Sequence, residues 1–300
     1  MHSIDKDNHK AIMKTSTQLG GTFTFTGTNL NVNRMGYGAM QLAGPGVFGP
    51  PKDVEVAKSV LREVIESGIN HIDTSDYYGP HITNQIIKDA LYPYPKELVI
   101  VSKVGGKRGD DASWGKAMSR DEIISAIHDN LRHLKLEAID VVNLRLGDMF
   151  GPKDEPFEEP LTALIDMKKQ GLVKHIGLST VSLEQVEKAS QMTEIVCVQN
   201  LYNVAKRDDD ALIDVLAKRG IAYVPYFPLG GFAPIQMDVL NRVAALINAT
   251  PMQVGQAWLL QRSPNVLLIP GTGSLNHLRE NIAAASITLP DSALEELNRV

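Results

Sequence analysis

Apolar residues return along this chain in two alternating rhythms. Short runs at 35–40, 68–73, 98–103, 139–146, 173–179, 195–199, 221–226 and 266–270 contain little polar alternation. That is the pattern of strands covered on both faces. Between the runs, apolar positions recur every three or four residues, the period of a helix with one buried side. In 120–134, Ile123, Ile124, Ile127, Leu131 and Leu134 form such a side, and Ser119 with Glu122 has the spacing of a capping box. Ser182 with Gln185, and Thr250-Pro251 with Gln253, predict two more helix starts. Asp53 opens another helix whose buried side is read as Val56, Ala57, Val60, Leu61 and Val64. Before all of these, "TFTFTGTNLNV" (22–32) alternates around a Gly-Thr-Asn turn and predicts a short hairpin.

Eight strand-like runs alternating with helices over about 250 residues predict a (β/α)8 TIM barrel, an α/β fold. The hairpin lies before it and extra helices near its C-terminal end. A doubly wound sheet would need a G-x-G-x-x-G turn leading into a helix. The nearest candidate, "GYGAMQ" (36–41), has Gln41 at the third glycine position and runs into "LAGPGVFGPP", which cannot start a helix. No linker or low-complexity tract follows residue 22. One domain is therefore expected over 22–300, with residues 1–21 a flexible tail.

Composition narrows the field. With 43% hydrophobic and 22% charged residues the chain can bury a sizeable core. A net charge of −5 argues against nucleic acid or anionic membrane as partner. The polar N-terminal stretch and the lack of a long apolar run predict a soluble, cytoplasmic protein. A single cysteine, Cys197, excludes an internal disulfide framework and is expected to be a buried small hydrophobe. The eight histidines show no H-x-x-x-H spacing, so no metal is expected; His128 and His133 read as a solvated helix face.

Barrel chemistry sits at the C-terminal ends of strands. There the sequence places Asp73, Lys103, Arg145, Ser179, Gln199 and Tyr226, with Tyr78 on the loop after Asp73. A lysine near a tyrosine favours the phenolate and lowers its pKa, while an aspartate keeps the lysine charged. A phenol so tuned can donate a proton to a carbonyl oxygen. The plainer alternative is a structural Asp73–Lys103 ion pair.

"HIDTSDYYG" (71–79) and "VSKVG" (101–105) resemble the aldo-keto reductase superfamily. So do "VKHIGLST" (173–180), "VQNLYN" (198–203), "YFPLGGF" (226–232), "TPMQVGQAWLLQRSP" (250–264) and "IPGTGSLNHLREN" (269–281), in the same order. The resemblance implies NADPH as cofactor ahead of NADH, with hydride transfer to an aldehyde or ketone and a tyrosine as proton donor. By that resemblance Tyr78 is the general acid and Lys103 with Asp73 its tuner. Ser179 and Gln199 would hold the carboxamide, Thr180 would lie with them at the cofactor, and Tyr226 would stack on the nicotinamide. Phe227, Pro228, Leu229, Gly230 and Gly231 would follow the pyrophosphate, with Gly38 and Met40 beside the cofactor. Ile269, Pro270, Gly271, Thr272, Ser274, His277, Glu280 and Asn281 would hold the adenosine end. "LAGPGVFGPP", "DTSDYYGPHITNQII" and "NLRLGD" are most similar to the bacterial pyridoxal reductase-like group, which implies reduction of pyridoxal to pyridoxine.

Three positions depart from the superfamily pattern. Arg145 stands where a histidine is usual, a permanently charged donor that cannot act as acid or base near neutrality. Beside Tyr78 it would lower the phenol pKa or anchor an anionic substrate group; alternatively it turns away to pair with Asp148. Thr180 replaces a commoner asparagine. Gly271 and His277 replace a lysine and an arginine, leaving Ser274, His277 and Arg279 as candidate partners of a 2′-phosphate. The 105–119 loop is long enough for a lid, so Trp114 and, opposite it, Phe48 are expected to wall a flat substrate pocket. The rival reading is a slow-turnover NADP(H)-binding redox sensor resembling potassium-channel β subunits; against it, Asp73, Tyr78 and Lys103 are all present.

Overall fold

In the computed structural model, residues 19–148, 150–228, 230 and 237–300 are described. The expected hairpin forms from β1 (Thr22–Thr24) and β2 (Asn31–Asn33), with Phe23 opposite Val32. The first half of the barrel runs β3 (Tyr37–Gly38), α1 (Val54–Glu66), β4 (His71–Asp73), α2 (Ile82–Leu91) and β5 (Val99–Val104). A second hairpin, β6 (Gly106–Arg108) with β7 (Trp114–Lys116), precedes α3 (Arg120–Leu134). Next come β8 (Ile139–Arg145), α4 (Glu158–Lys169), β9 (Val173–Ser179), α5 (Leu183–Met192) and β10 (Ile195–Leu201). The chain continues through α6 (Asp210–Lys218), β11 (Ala222–Tyr226), α7 (Asp238–Leu246), α8 (Pro251–Arg262), α9 (Leu275–Ala284) and α10 (Asp291–Asn298).

The seven-stranded sheet is parallel throughout, in the order β11-β10-β9-β8-β5-β4-β3. Residues 266–270, expected as the eighth strand, join its two edges. Leu267 N–H donates to Tyr223 O at 2.9 Å, and Gly36 N–H donates to Leu268 O at 2.7 Å. This closes the (β/α)8 barrel, although the closing segment makes only isolated bridges. Pro270 carries no N–H to extend that ladder. The 35–40 run is likewise regular only at Tyr37–Gly38 and then turns into a 3₁₀ helix, Ala39–Leu42.

Strand alternation divides the core in two. Val99, Val101, Val141, Cys197, Ala222 and Val224 fill the barrel, closed at one end by Phe25 and Val32 of the first hairpin. Ile100, Val142, Leu178 and Val198 pack outward against the helices. Continuing the inward parity along each strand ends on Asp73, Lys103, Arg145, Ser179, Gln199 and Tyr226. Register staggers the first three, Asp73 lying level with Val101 and Lys103 with Asn143, while Arg145 lies level with Ser179.

The three capping boxes form at Ser119, Ser182 and Thr250, and Asp53 caps α1 through Val56 N–H. Val56 itself is 42% exposed, against the expected buried side, because it sits in the first turn before the stripe formed by Ala57, Val60, Leu61 and Val64. Residues 1–18, most of the expected tail, lie outside the described residues, but 19–21 belong to the fold. Leu19 is buried and its carbonyl accepts from Met35 N–H at 2.9 Å. Trp258 and Cys197 are buried as expected. No helix among the described residues is long and apolar enough to cross a membrane.

Candidate active site

The inward strand ends surround a cavity of about 750 Å³, within the usual range for a small-molecule site. Asp73, buried at its floor, is gripped on both oxygens. Lys103 Nζ donates to Oδ1 at 2.5 Å and Gln199 Nε2 donates to Oδ2 at 2.8 Å. Lys103 also donates to Thr74 O at 3.0 Å, and its ammonium lies 5.2 Å from the centroid of the Tyr78 ring. The expected trio therefore meets, inside the pocket. Gln199, expected to hold a carboxamide, spends its amide N–H on Asp73 while still lining the cavity.

The turn after β4 sets the phenol. Tyr78 N–H donates to Ser75 O at 3.1 Å, and Gly79 follows at φ +104°, where an added Cβ would come within 2.6 Å of Ile82 Cβ. The turn is clamped from outside, since Gly49 N–H donates to Gly79 O at 2.7 Å and Gly79 N–H to Val47 O at 3.3 Å.

Electrostatics overturn one expectation. Burial pushes the Tyr78 phenol well above its ordinary pKa; Lys103 and Arg145 lower it but do not win. The phenol thus stays protonated near neutrality rather than being drawn toward phenolate. Burial likewise opposes charge on Lys103, yet Asp73 and the neighbouring phenols hold its pKa above the usual value. The result is a buried cation against a buried carboxylate, beside a neutral proton donor.

Arg145 lines the same cavity, and Asp148 pairs instead with Lys153 at 3.1 Å. Burial disfavours its charge, but the phenols of Tyr77, Tyr226 and Tyr78 keep it firmly cationic. Ser179 lines the pocket, its hydroxyl 3.3 Å from that of Thr180, which does not. Thr180 takes φ +59°, a left-handed backbone that asparagine adopts more readily than a β-branched residue. That is a physical reason for the commoner asparagine there.

Of the remaining expected cofactor contacts, Met40, Tyr226, Phe227 and Pro228 line the cavity, whereas Gly230 does not. Leu229 and Gly231 lie outside the described residues. Ile269, Pro270, Gly271 and Thr272 line it further along, followed by His277, Glu280 and Asn281 from α9. Asn281 is oriented by Gln256, whose Nε2 donates to Asn281 Oδ1 at 2.7 Å. Gly38 is not in the wall but lets the barrel close, since a Cβ there would stand 2.4 Å from Ile269 O. Ser274 serves as the cap of α9, accepting from His277 N–H. Arg279 is committed elsewhere, to a two-pronged pair with Glu63 at 2.6 and 2.9 Å.

Trp114 lines the pocket as expected, from the β6–β7 hairpin rather than from an irregular loop. Phe48 does not line it; its ring packs toward Arg108, whose guanidinium carbon is 5.4 Å from the ring centroid. Tyr77 is a wall residue absent from the expected set. It sits edge-on to Tyr78 and Trp114 at 5.3 and 6.2 Å. Its adjacency to Tyr78 was the available signal.

His133, expected in solvent, instead meets Asp76 Oδ1 through Nδ1 at 2.8 Å, while His81 Nδ1 meets Oδ2 at 2.6 Å. His128 is exposed. The three ligand-type atoms of Asp76, His81 and His133 converge within 4.8 Å. Two ligands tetrahedral about one zinc ion, each bound at about 2.0–2.2 Å, stand roughly 3.3 Å apart. The shorter contacts here are those of a hydrogen-bonded acid–base triad.

Comparison with known proteins agrees with this geometry. Residues 34–300 match the model of the aldo/keto reductase family. Pyridoxine 4-dehydrogenase of Escherichia coli (strain K12) is 61% identical over 279 residues, covering 92% of this chain and 98% of that protein. An uncharacterized oxidoreductase of Schizosaccharomyces pombe is 35% identical, covering 89% and 86% respectively. Among solved structures, a thermostable aldo-keto reductase in complex with the inhibitor epalrestat superposes with a TM-score of 0.78 at 28% identity, covering 93% of this chain and 98% of that one. An aldo/keto reductase from Klebsiella pneumoniae, in complex with NADP and acetate, shares the fold at a TM-score of 0.73 and 24% identity, covering 93% and 94%. The chain is an oxidoreductase of the aldo/keto reductase family.

Proposed function

We propose that this protein reduces pyridoxal to pyridoxine with NADPH. The observation that carries the chemistry is the buried Asp73–Lys103–Tyr78 cluster opening into the cavity. The Escherichia coli relative, a pyridoxine 4-dehydrogenase, supports the choice of substrate.

The cofactor fits the residues present. The cavity extends from the Tyr78 end past Gly271 and Thr272 to the first turns of α9. Ser179, Gln199 and Tyr226 would hold the nicotinamide end, Phe227 and Pro228 the middle, and Thr272, His277 and Asn281 the adenosine end. When bound, the reduced nicotinamide supplies the hydride.

The protein's own residues do the rest. Tyr78, neutral because buried, donates its proton to the aldehyde oxygen as negative charge develops there. Lys103 stabilises the phenolate left behind, and Asp73 holds Lys103 charged and in place. Arg145 pairs with the ionised ring hydroxyl beside the aldehyde, a charge-assisted contact. The aromatic wall of Tyr77 and Trp114 suits a flat ring.

Steady-state oxidation of NADPH over a panel of aldehydes tests the proposal. Repeated turnover with pyridoxal preferred is expected; a single burst, or no pyridoxal turnover, refutes it. Titration of cofactor fluorescence should give a lower Kd for NADPH than for NADH. Equal values would show that His277 and the α9 terminus do not select the 2′-phosphate.

A further inference from the structure

Arg108 lies outside the cavity lining, yet it ties one wall of the site, Trp114, to the loop that braces the Tyr78 turn. It pairs with Trp114 across the β6–β7 hairpin, and its guanidinium lies 3.8 Å from the centroid of the Trp114 ring. The same group reaches the loop before Phe48, where Nη1 donates to Val47 O at 2.7 Å and Nη2 to Gly46 O at 3.0 Å. Nη2 also donates to Ala112 O at 2.7 Å, fixing the tip of its own hairpin. Val47 O in turn accepts from Gly79 N–H, one residue after Tyr78.

Trp114 has one face against the guanidinium and meets the Tyr77 ring in an edge contact, and it remains 42% exposed. It also contributes to the cavity wall. An exposed tryptophan on a two-stranded hairpin has few packing partners to hold one rotamer. Here the planar cation supplies both a stacking surface and a fork of N–H donors, which a lysine ammonium cannot reproduce.

We infer that Arg108 is a positioning residue that fixes the Trp114 wall against the Tyr78 turn and so sets the preference for planar aromatic aldehydes. The inference rests on the proposed aldehyde reduction, and its test separates the two. For Arg108→Met and Arg108→Lys, kcat/KM is measured with pyridoxal and with propanal. Both variants should lower the pyridoxal-to-propanal ratio about tenfold, mainly through KM for pyridoxal, the scale of one lost cation–π contact with its supporting hydrogen bonds. A ratio unchanged in Arg108→Met, or restored in Arg108→Lys, overturns the assignment. Acrylamide quenching gives a readout independent of turnover. Trp258 is buried, so the signal difference between the chain and its Trp114→Phe variant reports Trp114. That component should become more quenchable in both Arg108 variants; unaltered quenching overturns the claim even if pyridoxal proves not to be a substrate.

Discussion

At the scale of single residues, burial decides the state of the proposed proton donor. Tyr78 has cationic neighbours, yet loss of solvent raises its pKa above the ordinary tyrosine value. Reduction should therefore hold level from neutrality to about pH 9, since the donor ionises only above the ordinary value of about 10. An alkaline fall of kcat/KM beginning near neutrality would contradict this. Tyr78→Phe should cost about 10²–10⁴-fold in kcat while leaving the Kd for NADPH nearly unchanged. Retention of kcat within about threefold would remove Tyr78 from proton transfer. Arg145→His exchanges a permanent charge and a two-pronged donor for a titratable ring. It should weaken pyridoxal more than benzaldehyde, which has no ionised hydroxyl to pair with. Equal losses on the two aldehydes would exclude a recognition role.

At the scale of elements, the turn between β4 and α2 is held by side chains from three segments. Asp76 lies in the turn, His81 stands just before α2 with φ +67°, and His133 comes from α3. The Asp76 hydrogen bond raises the pKa of His81, against burial and Arg132, with Asp129 adding to the rise. A raised folded-state pKa stabilises the fold fully below the unfolded value of about 6.5 and is lost as pH climbs through the folded value. His81→Asn keeps a residue tolerant of left-handed backbone. Its Tm deficit should therefore be larger at about pH 5.5 than at about pH 8. A deficit independent of pH would mean that the charged pair adds nothing; His133 and Asn84, which also bond Asp76, keep the turn together in either case.

At the scale of the whole molecule, closure of the barrel depends on bare backbone. Gly38 and Gly271 face each other across the closing bridge, and a methyl at Gly38 would press on Ile269 O. Backbone cannot move aside as a flexible side chain would. Gly38→Ala should cost about 1–3 kcal/mol in chemical denaturation and weaken NADPH binding in parallel. Full stability with normal affinity would show that the seam has slack the packing does not suggest.

Much was legible beforehand because it is local. Hydrophobic period announced the barrel, capping spacings marked helix starts at Ser119, Ser182 and Thr250, and strand parity with motif order picked out Asp73, Lys103, Arg145 and Gln199. These depend on neighbours within a turn or strand, so the chain states them directly. What only the tertiary structure decided depends on distance and solvent. The protonation of Tyr78 follows from burial, the pairing of Arg279 with Glu63 from a contact between helices far apart in the chain. Phe48 leaves the pocket and Arg108 meets it because two loops come together there. His133 leaves solvent because α3 packs beside the turn that carries Asp76. No periodicity encodes such meetings, since they arise when segments remote in sequence share one surface and water is excluded between them.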